Sequence, residues 1–318
     1  MSRAELLVRE PGLRTLVIDA GRLGWQHLGM PPAGAADAET WVLANALAAA
    51  SPGSAALEVT HAGPTLEVTE GTVFAGIAGA CEVTLRDGAD SRTLAGWCRL
   101  IARPGAVLEL GRVRDGLRAY LAVAGGIDVP PFLGSRSANL RGGAPGLLGR
   151  ALLAGDRLPI GPSPRQAWVV PGADPPPWRG ETGAVRVVPG PQAEALTERG
   201  SDTFLAADWV VASASDRGGL RLEGPIVELA SAADIASEGC AAGSVQITGG
   251  GRPIVLLVDR GTTGGYVKPF TIASVDLPRL GRLRPGESLR FSAVSVEEAL
   301  ALRRAREIDC QAWAAAIR

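Results

Sequence analysis

The chain has 318 residues, of which 46% are hydrophobic and 20% are charged, and its formal net charge at pH 7 is −1. This apolar content is sufficient for a sizeable core and excludes disorder throughout, while the absence of a basic excess argues against nucleic acid as the main partner. We find neither a signal peptide nor an apolar run of about 18 residues, so we expect a cytoplasmic protein that does not associate with membranes.

Short apolar segments separated by glycine and proline dominate the chain. Segments rich in Val, Leu, Ile and Thr occur at 6–8, 15–19, 57–60, 65–69, 82–85, 99–102, 107–110 and 118–124. Many short strands at this spacing are typical of an all-β barrel or sandwich. Helix signals are fewer: Asp37 can cap an Ala-rich helix over 37–50, and 295–305 has early glutamates and late arginines. An apolar run at 253–258 predicts a buried strand.

The second half of the chain repeats features of the first half in the same order. The Leu-Glu and Gly-Pro pairs within 57–64 reappear as Leu-Glu-Gly-Pro at 222–225, and Leu-Gly-Arg occurs at 148–150 and at 280–282. We infer two copies of one β module, and because domain junctions commonly hold small-molecule sites, we expect the site at their junction. The predicted boundaries are 1–165 for the first module, 184–318 for the second and 166–183 for a Pro/Gly-rich linker.

The cysteines and histidines show neither the spacing of a zinc site nor a disulfide framework. They are Cys81, Cys98, Cys240, Cys310, His27 and His61. No C-x-x-C pair occurs, so we expect no metal site and thiols that are buried or inert in a reducing cytoplasm.

Lys268 is the only lysine among the 32 Lys and Arg residues of the chain. A lysine amine offers a compact charge and can lose its proton when desolvated, which an arginine cannot, so a retained lysine suggests a specific role. Lys268 ends the run 259–268, a glycine- and hydroxyl-bearing turn after the predicted strand, and such loops commonly carry functional groups. The alternative is that the arginine excess is a compositional bias and Lys268 is a solvated surface cation.

Polar groups suited to a site also occur elsewhere. Gln26 and His27 lie in a glycine-rich stretch, and His27 is the better candidate for a general base of the two histidines, with a structural histidine as the alternative. Asp37 can hold a ligand group, although a helix cap explains it as well. Arg217 can clamp a carboxylate with two hydrogen bonds or pair with a neighbouring surface carboxylate.

Gln246 has apolar neighbours, so its amide must find hydrogen-bond partners if it is buried. The glycine run at 249–251 lacks the Lys-Ser/Thr of a phosphate-binding loop, and no dinucleotide fingerprint follows a βαβ start. We therefore expect that this chain alone binds neither ATP nor a dinucleotide.

The order of the motifs resembles the biotin-dependent carboxyltransferase family, also called the allophanate hydrolase subunit 2 family. The resemblance runs from about Leu6 to Phe291. Its elements are G-R-L-G-W-Q-H-L-G-M-P-P-A-G-A-A-D from Gly21, S-A-S-D-R-G-G-L-R-L-E-G-P from Ser213, S-E-G from Ser237, G-S-V-Q from Gly243, T-T-G-G-Y from Thr262 and L-R-P-G from Leu283.

The resemblance implies a mainly β fold with two tandem cyclophilin-like β-barrel domains and a few short helices. It implies a component like the C subunit of an ATP-dependent 5-oxoprolinase complex, which helps to hydrolyse the cyclic amide of 5-oxoproline to glutamate. The alternatives are a carboxyltransferase component that moves a carboxyl group from carboxybiotin to a urea-like amide, and a non-catalytic regulatory partner. Prolyl isomerisation follows only by analogy of fold.

The resemblance also implies partners, namely a subunit 1 protein (like the B subunit of 5-oxoprolinase) and a lactam-utilisation protein (like its A subunit). ATP would act in the complex through these partners. Biotin would arrive on a separate protein, because Lys268 follows Val267 and not the Met that conventionally precedes a biotinyl lysine. We expect no cofactor bound by this chain alone.

Both activities use a substrate with an amide N–C=O group, which a cation and hydroxyls can polarise and a neutral amide side chain can orient. The resemblance therefore implies a set of catalytic groups, which are Lys268, Tyr266, Thr262, Thr263 and His27. The implied substrate-binding residues are Gln26, Asp37, Arg217, Glu238, Gln246, Gly264 and Gly265.

The sequence departs from the family pattern at several positions. Gly261 stands where a Gln commonly precedes T-T-G-G-Y, and Gly281 and Arg282 stand where a Gln commonly precedes L-R-P-G. Val267 stands where a Pro is common. The loss of two glutamines removes amide hydrogen bonds from the expected cleft, which favours the regulatory alternative, and it leaves the fold and the partners intact.

Overall fold

The computed structural model describes residues 4–163 and 172–317, and the chain forms two compact units. Unit 1 comprises Met1–Leu23, Ala33–Pro177 and Cys310–Arg318, and unit 2 comprises Gly24–Pro32 and Trp178–Asp309. Residues 166–171 of the predicted linker lie outside the described residues. The module boundaries named above stay a prediction.

Unit 1 contains a nine-stranded sheet and one α-helix. Its elements in chain order are β1 (Ala4–Glu10), β2 (Arg14–Ile18), α1 (Ala38–Leu47), β3 (Ala56–Thr60), β4 (Thr65–Glu70), β5 (Val73–Asp87), β6 (Asp90–Ala95), β7 (Cys98–Ala102), β8 (Val107–Val123) and β9 (Arg157–Ile160). The main path through the sheet is β2-β3-β8-β4-β1-β9, and β5 pairs with β6, β7 and β8. The sheet curls around an apolar core, because alternate residues of a strand such as Leu6 and Val8 in β1 are buried.

Helix α1 begins where the sequence predicts. The Asp37 carboxylate accepts a hydrogen bond from the Thr40 main-chain N–H at 3.0 Å, which satisfies one of the donors that a helix N-terminus leaves unpaired. Leu43 and Leu47 lie in the same apolar cluster as Leu16 and Ile18 of β2. A cap and a buried face together hold this helix in unit 1.

Two thiols lie in the core of unit 1, where Cys81 is 4% and Cys98 is 3% exposed. Burial raises the pKa of the Cys81 thiol to about 11. Burial, and secondarily the neighbouring Cys81, raises the pKa of the Cys98 thiol to about 12. Both thiols therefore stay protonated in the folded protein well above the pH at which an exposed thiol ionises.

We expect the free energy of unfolding to fall as the pH rises above about 9. Below the ordinary thiol pKa of 9.0 both states are protonated, and above it only the unfolded chain ionises, so the loss continues until the folded-state values near 11 and 12 are reached. Denaturant unfolding between pH 8 and 11 measures this loss. Over the same pH range, the free energy of unfolding of the double variant Cys81→Ala with Cys98→Ala should fall less. An equal decline in both proteins would contradict the prediction.

Unit 2 contains an eight-stranded sheet, a two-stranded sheet, two whole α-helices and the part of a third helix that precedes Cys310, from which residue the chain is assigned to unit 1. Its elements in chain order are β10 (Val185–Pro189), α2 (Glu198–Ala206), β11 (Trp209–Val211), β12 (Gly219–Glu223), β13 (Asp234–Gly239), β14 (Ser244–Ile247), β15 (Pro253–Leu256), β16 (Thr263–Tyr266), β17 (Phe270–Ile272), α3 (Leu277–Leu280), β18 (Ser288–Leu289), β19 (Phe291–Ala293) and α4 (Val296–Ala316). The order of the larger sheet is β18-β11-β12-β15-β14-β17-β10-β19, and β13 pairs with β16 in the smaller sheet.

Aromatic stacking organises the core of unit 2. The Phe204 ring of α2 stacks on Phe270 and on Phe291, with ring centroids 4.7 and 4.5 Å away. Trp209 is fully buried, and its Nε1–H donates to the Phe204 carbonyl at 2.9 Å. These rings hold α2 against the strands β17 and β19, which belong to the larger sheet.

The structure confirms a mainly β chain with two curled sheets and few helices. Several predicted boundaries are wrong. The strand predicted at 82–85 is part of the longer β5, and the helix predicted over 37–50 ends at Leu47. The segments 107–110 and 118–124 form one strand, β8, because β5 pairs with it from Val107 to Val123 through several register shifts. The helix predicted over 295–305 continues to Ala316. Among the described residues, no helix combines the length and the hydropathy of a membrane span.

Candidate functional site

Two of the sequence motifs pair in the small sheet of unit 2. β13 contains the S-E-G motif and β16 contains most of the T-T-G-G-Y motif, and antiparallel pairing places Glu238 opposite Gly264 and Gly239 opposite Thr263. The prediction of a turn over 259–268 is partly wrong, because Thr263–Tyr266 form a strand. The pairing brings predicted site residues from both motifs together.

Lys268 lies directly after this sheet and is 2% exposed, so the alternative of a solvated surface cation is wrong. Its Nζ is 2.8 Å from Oε1 of Glu238 and donates to the Tyr266 carbonyl at 3.1 Å. Glu238 is exposed, and the hydrogen bonds from Lys268 and then from Gln192 lower its pKa. The ammonium is therefore enclosed on one side and held by a carboxylate that reaches water.

Gln192 completes this polar cluster. Its Oε1 accepts from the Lys268 main-chain N–H at 3.0 Å, and its Nε2 donates to Oε1 of Glu238 at 2.8 Å. Gly190, two residues earlier, packs on the same segment, because a Cβ at Gly190 would lie 2.1 Å from the Lys268 carbonyl oxygen. The chain before α2 thus fixes Lys268 through its main chain and orients the carboxylate that holds its side chain.

A cavity of about 710 Å³ opens beside this sheet within unit 2. Its wall is formed by Gln26, His27, Gly29, Gly239, Cys240, Ala241, Ala242, Arg260, Thr262 and Thr263. Four of the predicted site residues are in this wall, namely Gln26, His27, Thr262 and Thr263. Glu238 directly precedes the wall residues 239 and 240 in the sequence. Lys268, Tyr266 and Gln246 are in or next to the adjoining sheets and not in the wall itself.

The wall presents an amide, an imidazole, hydroxyls and a guanidinium. Gln26 and His27 belong to a short 3₁₀-helix that ends at Gly29, whose φ of 79° is left-handed. The side chains of Gln26, His27, Thr262 and Thr263 make no hydrogen bond with another described residue, so they can bind a ligand. Such a mixture suits a small polar molecule with an amide group.

Gln246, which is not a wall residue, lies next to the wall residue Cys240. The Gln246 amide is buried and lies 4.0 Å from the Cys240 sulfur through Nε2. Gly264 is required at this point, because a Cβ there would lie 2.5 Å from Nε2 of Gln246 and 2.9 Å from the Cys240 sulfur. Burial raises the pKa of the Cys240 thiol, against the opposing charges of Lys268 and Arg260, so the thiol is neutral near pH 7.

Two predicted ligands lie elsewhere and have structural partners. Asp37 belongs to unit 1 and caps α1. Arg217 is 2% exposed and donates to the Asp259 carboxylate through Nε at 2.7 Å and Nη2 at 3.1 Å. Gly265 lies in β16 next to Gly264, which packs against Gln246 and Cys240. The roles of all twelve residues as catalytic or substrate-binding groups stay predictions.

Three residues that the structure places at the site are absent from the predicted set, namely Gln192, Cys240 and Arg260. Cys240 follows the S-E-G motif directly and Arg260 precedes the T-T-G-G-Y motif by one glycine, so their positions beside motifs were an available signal. Gln192 had none, because it is 76 positions from Lys268 in the sequence.

Comparisons with known proteins agree with the motifs. The family described as carboxyltransferase domain, subdomain A and B, matches residues 28–293. The chain is 37% identical over 310 residues to the 5-oxoprolinase C subunit of Escherichia coli (strain K12), covering 97% of this chain and 98% of that one. It is 33% identical over 295 residues to the 5-oxoprolinase C subunit of Haemophilus influenzae, covering 93% of each.

A solved structure of a related protein has the same fold. The chain aligns with the Kluyveromyces lactis urea carboxylase with a TM-score of 0.87 and 28% identity, covering 98% of this chain and 29% of that chain. It therefore corresponds to one part of that larger protein. The resemblance predicted from the motifs is confirmed, and the chain belongs to the carboxyltransferase domain family.

Proposed function

We propose that the chain is the counterpart of the C subunit in an ATP-dependent 5-oxoprolinase complex, where it helps to hydrolyse the cyclic amide of 5-oxoproline to glutamate. The observation that carries the proposal is the similarity to a chain named as the C subunit of 5-oxoprolinase, which extends over 97% of this chain and 98% of that one at 37% identity. Similarity over the full length of both chains favours a shared role over a shared fold alone.

The groups at the cavity suit the chemistry of a cyclic amide. Addition of water to the carbonyl carbon and cleavage of the C–N bond pass through a state with negative charge on the carbonyl oxygen. In this proposal Lys268 contributes positive charge next to the wall, and the hydroxyl of Thr262 or Thr263 in the wall donates a hydrogen bond to that oxygen, while the Tyr266 hydroxyl would reach it from the end of β16. Gln26 or Gln246 orients the amide, and His27 serves as the general base.

Partners supply what this chain lacks in the proposal. A subunit 1 protein (the B-like partner) and a lactam-utilisation protein (the A-like partner) complete the complex, and ATP acts through them. The names of the relatives support this, because a protein named as one lettered subunit functions beside others. Because the proposed complex consumes ATP, which is available in the cytoplasm, the proposed location is the cytoplasm.

A second candidate is carboxyl transfer from carboxybiotin to a urea-like amide. The matching family is described as a carboxyltransferase domain, and a urea amidolyase of Saccharomyces cerevisiae is 30% identical over 94% of this chain and 17% of its own length. Biotin would be carried by another protein. We rank this candidate second because the 5-oxoprolinase relatives have higher identity and match in length.

Reconstitution separates these candidates. The chain is co-purified with its subunit 1 (B-like) and lactam-utilisation (A-like) partners, and 5-oxoproline-dependent ATP hydrolysis and glutamate formation are measured. We expect both activities only when all three proteins are present. Urea carboxylation with a carboxybiotin donor would instead support the second candidate. A stable complex with neither activity would contradict the proposal and identify a regulatory partner.

A further inference from the structure

Arg260 is a cation in the cavity wall that no described carboxylate neutralises. It is 5% exposed, and it takes part in no ion pair within residues 4–163 and 172–317. The neighbouring buried cations differ in this respect, since Arg217 is paired with Asp259 and Lys268 with Glu238. A buried charge without a counter-charge is costly, so its presence beside a cavity indicates a ligand.

Two main-chain carbonyls orient the Arg260 guanidinium. Nε donates to the Cys240 carbonyl at 3.0 Å, and Nη1 donates to the Leu257 carbonyl at 3.3 Å. Nη2 has no hydrogen-bond partner among the described residues and is not fully enclosed, and Arg260 belongs to the wall of the cavity. Burial lowers the pKa of Arg260. The side chain is held rigidly with one edge available.

The rest of the wall is neutral or basic. Among the described residues no Asp or Glu lines the cavity, whose polar side chains besides Arg260 are Gln26, His27, Cys240, Thr262 and Thr263. A negatively charged ligand therefore meets attraction at Arg260 and no repulsion from these side chains. The neutral amide and hydroxyl groups remain for a second, uncharged part of the same ligand.

We propose that Arg260 binds the carboxylate of the substrate, so that the cavity selects a small carboxylic acid that also carries an amide. The inference rests on the proposed function for the identity of that acid. 5-Oxoproline carries a carboxylate and a cyclic amide on one ring. A carboxybiotin donor would instead present the carboxyl group that it transfers. The geometry at Arg260 suits both because a guanidinium edge recognises the carboxylate itself.

The test compares two ligands that differ only in the carboxylate. 5-Oxoproline and 2-pyrrolidinone share the cyclic amide, and their dissociation constants are measured by calorimetry on the full chain in its complex. We expect Arg260→Gln to weaken 5-oxoproline binding about 10- to 100-fold and to leave 2-pyrrolidinone binding unchanged. Arg260→Lys keeps the charge but loses the planar fork, so its dissociation constant for 5-oxoproline should lie between those of the unaltered complex and of Arg260→Gln. Arg199→Gln, at an arginine of α2 whose side chain is 87% exposed, is the matched control.

The outcomes distinguish this inference from the proposed function. If the complex does not turn over 5-oxoproline yet binds it, or binds a carboxybiotin donor, in an Arg260-dependent manner, the inference stands and the proposed function fails. If turnover occurs and Arg260→Gln leaves KM for 5-oxoproline unchanged, the inference is overturned and the function stands. Equal binding of the two ligands by the unaltered complex, or no carboxylate-dependent binding, also overturns it.

Discussion

A complex that carries Lys268→Met should hydrolyse 5-oxoproline at least about 100-fold more slowly than the unaltered complex and should remain folded. The loss in kcat is the size seen when one group that stabilises a developing oxyanion is removed. Met has a similar length to Lys and fills the enclosed volume at a position that is 2% exposed. Glu238 is exposed, so it remains hydrated when its partner is removed. Turnover and the thermal unfolding midpoint are measured on the same preparation.

Two further variants sharpen this experiment. Lys268→Arg keeps a positive charge and changes its shape, so turnover should stay low if the compact ammonium is required. Arg199→Met removes an exposed cation of α2 and should leave turnover unchanged. Unchanged turnover in Lys268→Met, with a folded protein, would remove Lys268 from the mechanism, and unchanged turnover in Lys268→Arg alone would show that any cation serves at this position.

Asp259→Asn should lower the free energy of unfolding by about 3–5 kcal/mol, the largest effect on stability that we expect. Asp259 is 6% and Arg217 is 2% exposed, and two hydrogen bonds join the carboxylate to the guanidinium. Removal of the carboxylate takes away the negative charge that two hydrogen bonds hold against the buried Arg217 guanidinium, which costs more than the pair itself contributes. Urea unfolding at pH 7 measures the change through the transition midpoint.

The control for this prediction is a pair on the surface. Glu307→Gln breaks the contact between Glu307 and Arg303 in α4, where both side chains are more than half exposed, and should change the free energy of unfolding by less than about 0.5 kcal/mol. The double variant Asp259→Asn with Arg217→Met should recover part of the loss, because it removes the buried positive charge as well. If Asp259→Asn has no larger effect than Glu307→Gln, the buried pair does not stabilise unit 2.

Local patterns account for the parts of the fold that the sequence predicts. Strands such as β1 and β4 are short runs with alternate burial between turn residues, and α1 has its cap at Asp37. Helix α2 carried a weaker signal, because Gly200, Ser201 and Thr203 are poor helix formers and its stability comes from the stacking of Phe204. Tertiary packing therefore determines whether a helix such as α2 forms.

The candidate site also has a part that the sequence predicts and a part that only tertiary packing determines. The motifs containing Gln26, His27, Thr262 and Thr263, which the resemblance groups into one site, reach one cavity, and Lys268 is buried. The cluster around Lys268 depends on Gln192, which meets it only after folding. Likewise, the difference between Arg217, which has a carboxylate partner, and Arg260, which has none among the described residues, is a property of three-dimensional packing.

The location of bound 5-oxoproline tests the central claim most directly, since every role proposed above assumes that the cavity of unit 2 takes the substrate. A crystal structure of the complex with 5-oxoproline should show the ligand in this cavity, with its carboxylate at Arg260 and its amide near Thr262 and Gln26. Ligand bound at another place, with this cavity empty in a crystal of active complex, would contradict the account.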